Sequence, residues 1–126
     1  GSLENPVHSK NIETILQRIQ ENFEDPFIIA VDACLGSFQN VGKIAIKKEP
    51  LLPGSALNKN LPSVGNMSIT GIVNISGNFE FMVLQNTRLY TVMALADSIS
   101  NGIYHFILKS VGGKKSNDFL SKNVSK

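Results

Sequence analysis

The sequence predicts an α/β fold, and three observations carry that expectation. Residues 9–22 repeat their apolar positions at helical steps, Phe27–Val31 is continuously apolar and rich in β-branched residues, and strand-like stretches then return before a second helical segment.

The elements follow in chain order. Leu3–His8 reads as extended, with Pro6 as a turn element, and Ser9 is a plausible N-cap for a helix to about Asn22. Ile12, Ile15, Leu16, Ile19 and Phe23 form one stripe, while Lys10, Glu13, Gln17 and Glu21 face outward. Asp25-Pro26 closes that unit. Phe27–Val31 has the pattern of a strand buried on both faces, with Asp32 at its exit. Gly42–Lys48 alternates, Ile44 and Ile46 against Lys43, Ala45 and Lys47, as a strand with one wet face. Pro50 and Pro53-Gly54 end it.

Residues Ser55–Asn66 show no period and read as a long loop, a kind often functional in compact domains. Met67–Ile75 returns to strand character, and its central Gly71 marks a place where another group comes close. A helix is expected from about Phe81 to Ile99, with Asn101-Gly102 as its cap. Ile103–Leu108 fits either a short strand or a further helical turn, and disorder is expected from Gly112 onward. Three strands and two helices make a thin sheet. A strand buried on both faces needs neighbours on both sides, so the chain reads as part of a larger domain or as one that pairs with another copy.

Composition narrows the function classes. The 126 residues suit one domain, and 42% hydrophobic against 17% charged residues is enough for a packed core. No apolar run approaches the ~20 residues of a membrane helix, and no secretion signal is visible at the N-terminus. A single cysteine, Cys34, points to a reducing, cytosolic compartment. The net charge is +2, but four lysines of residues 114–126, opposed only by Asp118, account for it. That is a solvated basic tail; a nucleic-acid groove would need basic residues gathered on a folded face.

Few motifs carry chemistry. Asp32 leaves an apolar run, where a partly desolvated carboxylate suits proton transfer; the plainer reading of the residues alone is that it accepts hydrogen bonds from the amides of the Ala33–Gly36 turn. Cys34 has only His8 and His105 as candidate bases, at no telling spacing, and these three residues do not make a zinc signature, so neither metal nor cofactor is expected. No Walker-type phosphate loop is present. In "LQNTRL", residues 84–89, Arg88 could pair with Asp32 or Glu80 or hold a peptide carbonyl or carboxylate. Alternatively the stretch is a polar helix start capped by Asn86 or Thr87.

Three stretches, "NPVHSKNIE", "IIAVDACLGSFQNVGKIAIKKEPLLPGSALNKNLPSVGNMSITGIVN" and "LQNTRLYTVMALADSIS", together resemble the YyaC group of sporulation proteins from endospore-forming bacteria. That group is similar to the spore germination protease and, more distantly, to hydrogenase maturation proteases. The resemblance implies a three-layer α/β/α sandwich around a mixed, largely parallel sheet, of phosphorylase/hydrolase-like type. It implies a cytoplasmic peptidase of sporulation or germination that uses acids at the carboxyl edge of its sheet. Asp32 matches the second acid, in an Asp-Ala pair. The first, in a stretch like Asp-Arg-Ser-Thr-Gly-Asp, does not occur in these residues, nor does the strand and helix that carry it. On this reading residues 1–110 form one spore-protease-like domain lacking that first strand and helix, and residues 111–126 a disordered basic tail. The partner is a peptide or protein substrate, with neither nucleic acid nor membrane involved, and a homo-oligomer is an open expectation. Asp32 is the catalytic candidate, and Asn58, Lys59 and Arg88, chosen by polarity and position, are the substrate-binding candidates. The alternative is a non-catalytic sporulation protein that uses the same scaffold to bind a peptide or partner.

Overall fold

The computed structural model describes residues 1–53 and 61–121, with side chains through residue 110. The elements run α1 (Ile12–Asn22), β1 (Ile29–Gly36), a 3-10 turn (Phe38–Asn40), β2 (Ile44–Lys47), β3 (Met67–Ile75), α2 (Glu80–Gln85) and α3 (Leu89–Ser121). The strands form one mixed sheet in the order β1-β3-β2, with β1 parallel and β2 antiparallel to β3. The protein is therefore α/β, as the sequence predicts.

β3 is central because it can be buried on both faces. Ser68, Ile69, Gly71 and Val73 are all buried, and its span, Met67–Ile75, is the one expected from the sequence. α3 lies across it, with Leu95 and Ile99 buried. A Cβ on Gly71 would stand 3.4 Å from the Leu95 side chain, so the close approach marked by this glycine is that of a helix.

β1 departs from expectation. It begins two residues later than the apolar run and continues to Gly36, and it is an edge strand rather than one sheltered on both sides. Phe27 and Val31 are 67% and 51% exposed. The physical reason is coverage: α3 sits over β3, and β1 has β3 on one side only. Local chemistry sets where β1 starts. The Ile28 N–H donates to Asn66 Oδ1 (2.8 Å), and the Asn66 N–H donates back to the Ile28 carbonyl (2.8 Å). Gly65, at φ +85°, brings the chain into this clamp; a Cβ there would lie 2.8 Å from the Ile28 carbonyl oxygen.

The two faces of the sheet are set by alternation along β1. Ile29 and Val31 line hollows beside α3. Ala30, pointing the other way, is buried with Ile12 of α1 and with Val64, and Leu16, Ile28 and Leu51 pack around them.

The C-terminal helical region also differs from the single helix expected at 81–99. It breaks at residues 86–88, where the Asn86 and Thr87 side chains donate to the Met82 and Val83 carbonyls at the end of α2 (2.7 and 3.0 Å). α3 then runs through Asn101-Gly102 to Ser121, so no cap forms there and Ile103–Leu108 is helical. The boundary drawn at residue 111 falls inside this helix. Residues 122–126 lie outside the described residues.

Candidate functional site

Asp32 stands in the middle of β1, not at its exit, because the strand extends four residues beyond it. Its register partner on β3 is Thr70, and Thr70 in turn faces Ala45 of β2. The three side chains therefore form a row across the sheet, on the same face as Ala30. α1 covers only the Ala30 end of that face. Along the next rungs, Asp32 is exposed while Thr70, Cys34 and Ile72 are half-buried.

Two influences act on the Asp32 carboxyl. Crowding by surrounding protein atoms is the larger and pushes its pKa above the ordinary carboxylate value, even though the side chain keeps an open side to water. The Ala33 N–H, which donates to Oδ1 at 2.8 Å, pulls the other way and only partly offsets it. That bond is the local acceptor role open to Asp32 from its sequence, made to one amide of a strand rather than to a turn.

Arg88 does not join Asp32. It lies between α2 and α3, exposed, and its carbonyl accepts from the Thr91 and Val92 amides (3.0 and 3.4 Å) at the start of α3. Among the described residues, no cation contributes to the shift of the Asp32 carboxyl. Asn58 and Lys59 lie outside the described residues. Of the four site residues suggested by sequence, the structure thus positions two, and it sets them apart. Thr70 is the neighbour that sequence reasoning passed over. Its signal was the polar alternation Ser68, Thr70 within an otherwise apolar strand.

The best-formed hollow is on the opposite face. About 230 Å³ in volume, it lies between α3 and the sheet, with Ile29, Ile44, Ile46, Met67, Ile103 and Phe106 among its walls. Its walls are almost wholly apolar, and Asp32 is not among them. Among the described residues no group of three or more His, Cys, Asp or Glu side chains is placed to hold a metal ion. No described helix is long and apolar enough to cross a membrane.

Comparison with known proteins sets the chain in a family. Residues 1–102 match the family described as "Protein of unknown function (DUF1256)". The chain belongs to the DUF1256 family. Over 103 residues it is 47% identical to "Uncharacterized protein YyaC" of Bacillus subtilis (strain 168). That match takes in 82% of this chain and 50% of the relative, so the chain spans about half the length of this curated relative. No solved structure matches it. The YyaC-type resemblance read from the three stretches is therefore shown, and α3 passes beyond the DUF1256 match at residue 102.

Proposed function

We propose that this chain carries the peptide-binding half of a spore-protease-like site in a three-layer α/β/α protein acting in sporulation or germination, with Asp32 as one of two acids. The observation that carries the reading is the setting of Asp32: a carboxyl with raised pKa, exposed among the described residues, on the edge strand of the sheet. An extended peptide has two ways to engage there, by adding to the β1 edge through its backbone and by laying a carbonyl over the Asp32–Thr70 row. An acid whose pKa is raised by its surroundings is better suited to donate to a carbonyl oxygen or a leaving amine, while a second, ionised acid activates water. The second acid comes from outside this chain, in keeping with a relative of twice the matched length. Alone, the chain binds peptide and does not cleave it.

A cleavage and binding assay with an unstructured peptide tests this. The expected result is binding without turnover, weakened several-fold by Asp32→Asn. Turnover by the wild-type chain that Asp32→Asn abolishes would overturn the half-site reading and make this a complete peptidase. Equal binding and equal turnover in both forms would remove Asp32 from the site.

A further inference from the structure

α3 has one face too many for the body it packs on. Leu95 and Ile99 point to the sheet and are buried. On the far side, Tyr90, Met93, Asp97, Ser100, Tyr104 and Ile107 follow one another at alternating three- and four-residue steps, and all six are exposed. That spacing is the heptad seam of a coiled coil. Four of the six are large and apolar or aromatic: Tyr90 is 83% exposed, Met93 40%, Tyr104 60% and Ile107 51%. A helix apolar on opposite sides is one that is buried on both. The seam also crosses the limit of the family match, since Tyr104 and Ile107 lie past residue 102.

We propose that this seam pairs with the same seam of a second copy, in antiparallel orientation. The order of residues selects that occupant. Turned end for end about its centre, the seam is its own complement: Tyr90 meets the second copy's Ile107, Met93 meets its Tyr104, and Asp97 meets its Ser100. The only charge in the seam then faces a hydroxyl, which can donate to it. Parallel pairing would stack Asp97 on Asp97, a like-charge contact in the middle of the interface. The paired stretch is about 26 Å long at 1.5 Å per residue. With Leu89 and Leu108 at the flanks, also exposed, it buries roughly 500–600 Å² per copy. The total is near the ~1,000 Å² floor for a specific interface, which suits a reversible dimer. The interface leaves the Asp32 face free, and at the β1 edge only Ser100 of the seam borders the hollow that Val31 also lines.

Sedimentation velocity of the 126-residue chain over a range of concentrations provides the first test, and a monomer–dimer equilibrium is expected. Tyr104→Asp and Ile107→Asp, each at an exposed position, should raise the dissociation constant at least about tenfold while circular dichroism shows the helix content kept. Glu13→Lys, exposed on α1 at the opposite face of the sheet, should leave the dimer intact. Orientation is read by cross-linking in a Cys34→Ser background. Under a mild disulfide oxidant, Met93→Cys mixed with Tyr104→Cys should give a covalent heterodimer, and neither variant alone should cross-link. A monomer at all concentrations, a dimer insensitive to both aspartates, a dimer lost with Glu13→Lys, or cross-linking of one variant with itself would each overturn the proposal.

Discussion

The two faces of the sheet are finished to different degrees. On one, α3 lays Leu95 and Ile99 over Ile69, Gly71 and Val73 of the central strand, and the glycine lets the helix come close. On the other, α1 and the Val64 segment cover only the end at Ala30, and among the described residues the next rung carries Asp32 exposed and Thr70 half-buried. The contrast separates two jobs. The covered face packs along the length of the central strand, whereas the other face packs only at its Ala30 end and leaves polar groups beyond it within reach of a ligand.

Breaking the covered face should have the largest effect. Leu95→Ala removes a buried side chain that fits against Gly71, and a loss of about 3–4 kcal/mol in urea unfolding is expected. On the other face, Ile12→Ala opens the smaller cluster around Ala30 and should cost about 2 kcal/mol. A result equal to or above that for Leu95→Ala would mean the faces contribute alike. Gly65→Ala forces a side chain into a left-handed backbone and against the Ile28 carbonyl; about 1–2 kcal/mol is expected, with the start of β1 losing amide protection first in hydrogen exchange.

The smallest effect is that of Asp32→Asn, and it sharpens the comparison by its sign. Because the folded state raises the pKa of this carboxyl, the native protein holds the proton more firmly than the unfolded chain. Stability from this group is fully present below the ordinary carboxylate pKa and declines as pH rises through the folded value. Asp32→Asn should therefore remove that decline and leave the protein equally stable or slightly more so at neutral pH, the gain being small because the side chain keeps contact with water. Thermal melts at acid and neutral pH would show it. A marked loss of stability would mean that Asp32 has a structural role.

Much of the fold was legible because its strongest patterns are local. β3 alternates, with Met67, Ile69, Val73 and Ile75 apolar on one face, and is bounded by Asn66 and Ser76, so its limits could be read directly. The helical period of residues 12–22 likewise survives in α1. β1 was misplaced by two residues at its start and five at its end. Its position depends on Asn66, 38 residues away, and no period in the sequence reveals that bond. An acid in a strand also looked like a strand end, which holds only where both faces are covered. The break before α3 arises from Asn86 and Thr87 turning back onto carbonyls of α2, a competition their residue types permit but do not dictate. As for the candidate site, Asp32 could be singled out but Thr70 could not, since their adjacency is a matter of strand register.

The Ile28–Asn66 clamp has a bearing on how the chain assembles. The two ends of the loop it closes must find each other by diffusion before any rung between β1 and β3 can form, and the entropy of that closure is lost at the outset. Helices that need only near neighbours form sooner. Pairing of β1 with β3 is therefore the step that loop-closure entropy slows.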